Sequence, residues 1–186
     1  MLLFVGLGNP TPDSENNRHN VGFKIIDAIN KKFSLSKQKP KFKGLLTTGK
    51  IEGEKVYAIK PLTFMNNSGI CIRELLEYFK FDAENVIVFH DDLDIEFGKI
   101  KAKFGGSNAG HNGIASIDKF IGKDYSRVRV GIGKPKTPIE IGDYVLQNFD
   151  EEELVGIDKI SKNITESIGD LIKKKLDLFS STVNNK

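Results

Sequence analysis

The stretch NVIVFH, residues 85–90, decides the fold class of this 186-residue chain. Its centre is a continuous run of apolar residues, most of them β-branched. Such a run is typical of a strand that is buried on both faces of a sheet. Residues 2–7, LLFVGL, predict a second strand of the same kind near the N-terminus. Two buried strands of this type favour a sheet that helices cover on both faces.

Helical patterns alternate with the strands along the chain. Apolar residues recur at helical spacing over residues 21–33, and Asn20 stands where an N-cap is expected. A second helix is predicted from a cap at Ser68, and a third runs to about Phe120. The apolar stripe over residues 154–179 predicts one long amphipathic helix. Further strands are predicted at residues 43–51, 54–60, 97–103 and 127–133.

This order of elements predicts an α/β fold with a twisted mixed sheet and helices on both faces. We find no linker, so residues 1–186 are expected to form a single domain, with residues 180–186 as a polar tail. The chain is 39% hydrophobic and 28% charged, as is ordinary for a globular protein. Its net charge of +3 permits an anionic partner without requiring one.

Two further features of the sequence bear on the cellular environment in which the protein works. The chain has one cysteine, Cys71, which cannot form an intramolecular disulfide and therefore points to a reducing environment. No apolar stretch approaches the ~18 residues that span a membrane, and the N-terminus lacks the basic region of a signal peptide. We therefore expect a protein with no membrane contact.

Polar side chains gather where the predicted strands end. Asn9, Asn66 and Asp91 each follow a strand, and Asn112 belongs to the glycine-rich stretch GGSNAGHNG. In open α/β sheets, ligands bind beyond the carboxyl ends of the strands, so these residues are expected at one rim. His19 reaches the same rim from the first loop. An imidazole beside a carboxylate is a good general base near neutral pH, and amides nearby can orient water or stabilise an oxyanion.

Each of these features also has a structural interpretation. His19 and Asn66 are also suited to capping a helix, and His111 is also suited to a structural role as a hydrogen-bond donor. The acidic run at the end of the strand predicted over residues 85–90 offers a different chemistry, in which four side chains bind a metal ion: His90, Asp91, Asp92 and Asp94. The Gly6-x-Gly8 pair lacks the third glycine of a dinucleotide-binding turn.

Six motifs occur together in a fixed order: GLGNP, RHN-x-G, TFMN-x-SG, HDDLD, GHNG and R-x-R-x-GIG. In this combination, the chain resembles the bacterial peptidyl-tRNA hydrolases from residue 1 to about residue 179. The resemblance implies hydrolysis of the ester that joins a peptide to the terminal ribose of tRNA, in translation and ribosome rescue. It implies no metal and no organic cofactor, a cytoplasmic enzyme, and a monomer without an obligate protein partner.

The resemblance also implies roles for particular residues. His19 would be the catalytic histidine and Asp91 the carboxylate that orients it. Five residues would bind the substrate or the attacking water: Asn9, Asn66, Asn112, Phe64 and Met65.

Three further residues would bind tRNA. Lys103 and Arg129 match positions that hold tRNA phosphate, and Ser14 stands where the family usually has a tyrosine. Residues 134–149 would form a mobile cover over the cleft. Three alternatives stay open, namely a metal-dependent phosphoesterase that uses the acidic run, a non-catalytic RNA-binding protein of the same fold, and a relative with a changed substrate.

Overall fold

The computed structural model describes residues 1–186 and contains seven strands in one sheet. The strands are β1 Leu2–Gly6, β2 Lys39–Lys41, β3 Gly44–Ile51, β4 Glu54–Pro61, β5 Val86–Asp92, β6 Ile100–Phe104 and β7 Ser126–Gly131. The helices are α1 Val21–Lys32, α2 Ser68–Phe79, α3 Asn112–Ile121, α4 Ile141–Val145, α5 Glu151–Glu166, α6 Ile168–Ile172 and α7 Leu176–Asn184. Short 3₁₀ turns precede several of them, including Arg18–Asn20 before α1 and Met65–Asn67 before α2.

The strand order is β2-β3-β4-β1-β5-β7-β6, and the sheet is mixed. β1 pairs in parallel with β4 and β5, and β5 pairs in parallel with β7. The remaining pairs, β2 with β3, β3 with β4 and β6 with β7, are antiparallel. The carboxyl ends of β1, β4, β5 and β7 therefore meet at one edge of the sheet, as the polar strand ends predicted.

Hydrophobic residues pack on both faces of the sheet. The larger cluster joins one face to α1, α5, α6 and α7, and the smaller joins the other face to α2 and α3. All seven residues of β5 are buried, which explains its uninterrupted apolar sequence. The single-domain α/β fold with a mixed sheet and helices on both faces is confirmed. None of the seven helices combines the length and the apolar character that a membrane span requires.

The prediction of one helix over residues 154–179 is wrong. Three helices occupy this stretch, because the chain leaves helical geometry at Ser167 and adopts a positive φ at Lys174. The interpretation of residues 180–186 as a polar tail is wrong as well. α7 continues to Asn184, Val183 is buried, and Asn184 binds the backbone of Ile100.

The two predicted helix caps are also corrected. Asn20 occupies the N-cap position of α1, but its side chain bonds to the backbone of Asn9 instead of to the helix. Ser68 is the first residue of α2, and its hydroxyl donates to the carbonyl oxygen of Met65 at 2.8 Å. Both side chains therefore fix loops at the sheet edge.

Candidate active site

His19 and Asp91 lie in direct contact at the carboxyl edge of the sheet. Asp91 is near the end of β5, and His19 belongs to the 3₁₀ turn before α1. The His19 Nδ1 atom is 3.0 and 2.9 Å from the two carboxylate oxygens of Asp91. A carboxylate only accepts, so Nδ1 carries the hydrogen and donates. The Nε2 atom of the unprotonated ring then holds a free lone pair, as a general base requires.

His111 is a second imidazole on the same carboxylate, and the sequence pointed only to a structural donor there. Its Nε2 atom lies 2.8 Å from Asp91 Oδ1, and its ring centroid is 4.9 Å from that of His19. Its Nδ1 atom accepts from the backbone N–H groups of Gly113 and Ile114, which caps α3. These bonds fix the tautomer, so His111 donates to Asp91 and ties the glycine-rich loop to the His19–Asp91 pair.

The electrostatics of the carboxylate follow from these contacts. Asp91 is buried, and burial alone would raise its pKa. The attraction of His111 and His19 and the hydrogen bonds from both rings outweigh burial, so the pKa of Asp91 lies well below its usual value. Asp91 therefore stays ionised across the range in which enzymes work, and it can stabilise a His19 ring that has taken up a proton.

A cavity of about 720 Å³ opens beside this group of side chains. His19, Asp91 and His111 line it together with the glycine-rich loop, residues 105–110. Gly105, Gly106 and Gly110 have positive φ angles that favour glycine. At Gly106 a Cβ would lie 3.1 Å from the Nζ atom of Lys103, so a side chain at this position would crowd the lysine.

The predicted amide residues take different positions. Asn112 lines the cavity, and Asn66 lies with Asn112 on a smaller adjoining groove. Asn9 lines neither, because its Oδ1 atom accepts from the backbone N–H of Met65 at 2.9 Å and so supports that loop. Asn66 and Asn112 are exposed, whereas the side chain of Asn9 is bonded to the backbone of Met65.

The neighbouring residues Phe64 and Met65 differ in exposure. Met65 is buried, with its sulfur against Gly113, so it shapes the wall of the site from within. Phe64 is 54% exposed and has a φ angle of 64°, which residues other than glycine rarely adopt. Strain of this kind concentrates at functional sites, and the contact of the exposed ring with substrate stays a prediction.

The predicted tRNA-binding cations are not equivalent. Lys103 is exposed and lines the cavity. Arg129 lines it too, but its Nε atom donates to Asp92 at 2.7 Å, which neutralises part of its charge and orients the guanidinium. Arg127 also lines the cavity, but it is buried and its guanidinium is held in an ion pair with Asp118.

The burial of Ser14 gives no support to its predicted contact with tRNA. The residue is 9% exposed, and its hydroxyl lies 2.6 Å from that of Thr11. The prediction rested on a position at which the family usually has a longer side chain, and the shorter serine pairs within its own loop instead.

Residues 134–149, the predicted cover, contain α4, and Ile141, Gly142 and Val145 of this segment line the cavity. Arg18 fastens the segment to the turn that carries His19. Its guanidinium donates to the carbonyl oxygen of Tyr144 at 3.3 Å and stacks on the Tyr144 ring at 4.2 Å. The position of α4 beside the cavity is therefore linked directly to the turn that carries His19, whereas the mobility of the cover stays a prediction.

The metal ligands proposed for the phosphoesterase alternative do not assemble. The ring of His90 donates to the backbone carbonyl of Asp91, Asp92 pairs with Arg129, and Asp94 lies near Lys134. The side chains that do cluster are His19, Asp91 and His111, whose ligand atoms lie within 4.8 Å of one another. In that cluster the imidazole nitrogens already donate hydrogens to the carboxylate.

The match to known proteins covers nearly the whole chain. The family model described as peptidyl-tRNA hydrolase matches residues 3–186. The chain belongs to the peptidyl-tRNA hydrolase family. The peptidyl-tRNA hydrolase of Pelagibacter ubique is 78% identical over 186 residues, which is all of both chains. The Bartonella henselae enzyme is 44% identical over 99% of this chain and 95% of its own.

Solved structures agree with the family assignment. The crystal structure of peptidyl-tRNA hydrolase from Acinetobacter baumannii superposes with a TM-score of 0.91 at 31% identity. The match covers 99% of this chain and 94% of that one. The geometry around Asp91 therefore belongs to a chain with the peptidyl-tRNA hydrolase fold throughout.

Proposed function

We propose that the chain hydrolyses the ester between peptide and tRNA in peptidyl-tRNA, with His19 as the general base for an attacking water. The observation that carries this role is the hydrogen bonding of Asp91, which fixes the tautomer of His19 and leaves Nε2 unpaired beside a cavity with cationic walls. Membership of the peptidyl-tRNA hydrolase family supplies the reaction class.

The reaction proceeds in two steps. His19 Nε2 takes a proton from water as the water oxygen bonds to the acyl carbon, and the carbonyl oxygen becomes an oxyanion. Asn112, exposed at the cavity wall, donates its amide hydrogens to this oxyanion. The carbon–oxygen bond to the ribose then breaks, and the protonated His19 returns its proton to the ribose oxygen. Asp91 stabilises the charged ring between the two steps.

The products are free peptide and tRNA that can be charged again. Lys103 and Arg129 hold tRNA phosphate, which gives affinity without reading base sequence. That suits an enzyme whose substrates carry many different tRNAs. As part of the same proposal, the enzyme acts as a cytoplasmic monomer without an obligate protein partner, metal or organic cofactor.

The direct test is incubation of the purified protein with N-acetylated aminoacyl-tRNA, followed by assay of free tRNA and acetylated amino acid. We expect stoichiometric release of both, from enzyme that has first been treated with a chelator and dialysed. Absence of both products would contradict the proposal. Activity that is lost on chelation and restored by a divalent ion would favour the metal-dependent alternative, whereas binding of tRNA without release would favour the non-catalytic one.

A further inference from the structure

The segment KQKPKFK, residues 37–43, carries a lysine at every second position. It contains the short strand β2, Lys39–Lys41, whose three residues are all exposed. β2 stands at the edge of the sheet and pairs with β3 alone, so its outer side faces solvent. We refer to the four lysines of this segment, together with the exposed ring of Tyr78 in α2, as the β2 surface.

The lysines of the β2 surface form a row of positive charge. Residues two apart in a strand point to the same side and lie about 6.6 Å from each other. Lys39 and Lys41 therefore present their ammonium groups at a spacing close to that of successive phosphates along an RNA strand. Lys37 precedes the strand and Lys43 follows it, and Lys43 pairs with Glu74. The row is thus held in place at the end where the chain turns into β3.

An aromatic ring lies beside this row of lysines. The Lys41 ammonium is 4.7 Å from the centre of the Tyr78 ring and 5.1 Å from that of Phe42. Phe42 and Phe79 support the tyrosine, with ring centroids 5.2 and 4.9 Å from its own. Tyr78 is 62% exposed despite these contacts. A ring that is fixed by its neighbours and still faces water offers a surface on which a base can stack.

Two features favour RNA as the ligand over a further protein strand. Pro40, at the centre of β2, has no N–H to donate to an added strand. A lysine row beside an aromatic ring, in contrast, is suited to bind phosphate and base of a single nucleic-acid strand together. An acidic peptide would contact the lysines and leave Tyr78 without a role.

We propose that the β2 surface binds an RNA strand at a site separate from the catalytic cavity. β2 lies four strands away from β5, which carries Asp91, so about 19 Å separate them at ~4.8 Å per strand. Lys103 lies on β6, at the opposite edge of the sheet. The RNA at β2 is therefore either a distant part of the bound tRNA or a second RNA molecule, and both present the same phosphates and bases.

Binding of fluorescein-labelled octauridylate, measured by fluorescence anisotropy at several salt concentrations, tests the proposal. All proteins carry Lys103→Ala, which weakens binding at the cavity. The double variant Lys39→Ala/Lys41→Ala should lower the slope of log affinity against log salt by about 1.4, since one single-strand phosphate contact contributes about 0.7. The matched control, Lys159→Ala/Lys162→Ala, removes two exposed lysines of α5 on the other face of the sheet and should keep the slope.

Tyr78→Ala tests the aromatic contact without a change of charge. It should weaken octauridylate binding about fivefold or more, the contribution of one base stacked on an aromatic ring. It should leave the binding of octaglutamate, an acidic peptide of the same length, unchanged. Equal octauridylate affinity and slope in the two lysine pairs would overturn the proposal. A loss confined to octaglutamate would overturn it too, because the surface would then bind an acidic protein.

Hydrolysis assays identify the source of the RNA strand. With Lys103 restored, Lys39→Ala/Lys41→Ala should keep the wild-type kcat for N-acetylated aminoacyl-tRNA, because β2 is remote from His19. A KM that rises several-fold assigns the strand to the bound tRNA. An unchanged KM, with octauridylate still bound at saturating tRNA, assigns it to a second RNA. The anisotropy assay does not depend on hydrolysis, so an enzyme that binds octauridylate as described but releases no product would contradict the proposed function alone.

Discussion

His90 is a buried histidine whose side chain lies beside the catalytic group. Burial, followed by the proximity of His111, lowers the pKa of His90 from 6.5 to about 3. Its Nδ1 atom lies 2.8 Å from the backbone carbonyl oxygen of Asp91, which can only accept, so Nδ1 carries the hydrogen. The ring is therefore neutral in the folded protein at any pH at which the enzyme works.

The low pKa of His90 predicts that the free energy of unfolding decreases as the solution becomes more acidic. Between pH 3 and 6.5 the unfolded chain binds a proton at His90 that the folded chain does not, so stability falls as the pH is lowered through this window. One proton corresponds to about 1.4 kcal/mol per pH unit. Urea unfolding of the wild type and His90→Asn should give a stability difference that grows by that amount per unit as pH rises from about 4 to about 6.

Asparagine retains an N–H donor near the position of Nδ1, so the comparison isolates the proton. A difference between the two proteins that stays constant over this range would mean that His90 is protonated in the fold or open to solvent. Above the ordinary histidine pKa of 6.5, the difference in the free energy of unfolding should no longer change with pH.

At the residue scale, the sequence predicted that His19 and Asp91 lie at the same rim, because each stands at a recognisable boundary, a helix start and a strand end. The role of His111 was missed. Its contact with Asp91 depends on how α3 docks on the sheet, and no local pattern encodes that docking. The one available signal was its place directly before a helix, where its ring caps the first turn.

At the element scale, α7 closes an edge of the sheet. The side chain of Asn184 accepts from Ile100 N–H at 2.8 Å and donates to the Ile100 carbonyl at 2.9 Å, as a neighbouring strand would. Ser180 accepts from the N–H of Ala102 at 2.8 Å. These bonds satisfy backbone groups of the edge strand β6 that would otherwise be open to another chain.

The two neighbouring asparagines at the C-terminus make a matched pair for testing this contact. Asn184→Ala leaves two backbone groups of Ile100 without partners and should reduce the free energy of unfolding by about 1–3 kcal/mol. Asn185 is exposed, and its side chain bonds only to Ser181. Asn185→Ala should therefore change the free energy of unfolding by less than about 0.5 kcal/mol. Equal effects in urea unfolding would show that α7 does not cap the edge.

The sequence predicted most helix and strand centres but not this C-terminal arrangement. The apolar stripe recurs from Leu154 to Leu171, and a helix would place its next inward residue at 175, which is lysine. That interruption marks the break before α7, yet the later apolar residue Phe179 suggested a single helix. Serine and asparagine in residues 180–186 looked like a tail because their partners lie on β6, about 80 positions earlier in the chain.

At the scale of the whole molecule, the position of the cations matters more than the net charge of +3. Lys101 and Lys103 lie on the same face of β6, but only Lys103 lines the cavity. Lys103→Ala should therefore raise KM for peptidyl-tRNA more than it lowers kcat, because the phosphate contact is present in ground and transition states alike.

The salt dependence of tRNA binding gives the measurement. Lys103→Ala should lower the slope of log affinity against log salt by about 0.7–0.9, the value for one phosphate contact. Lys101→Ala, a matched control on the same strand, should leave the slope unchanged. Arg129→Ala should lower it by less than Lys103→Ala, since Asp92 already neutralises part of that charge. Equal slopes for Lys103→Ala and the wild type would contradict the phosphate assignment.

The order of the seven strands was not accessible from the sequence. The short edge strand β2 has no apolar run to reveal it, because all three residues are exposed. The pairing of β5 with β7 instead of β6 follows from contacts between distant segments. The fold class was accessible, since buried strands and amphipathic helices carry their own local patterns.

The central claim is that His19 activates the water that cleaves peptidyl-tRNA. It is tested most directly by measuring, for the wild type and His19→Ala, both single-turnover hydrolysis of N-acetylated aminoacyl-tRNA and the Kd for deacylated tRNA. We expect hydrolysis to fall about 10²–10⁴-fold, the contribution of a general base, with Kd within about twofold of the wild type. Hydrolysis near the wild-type rate in a folded His19→Ala protein would contradict the claim.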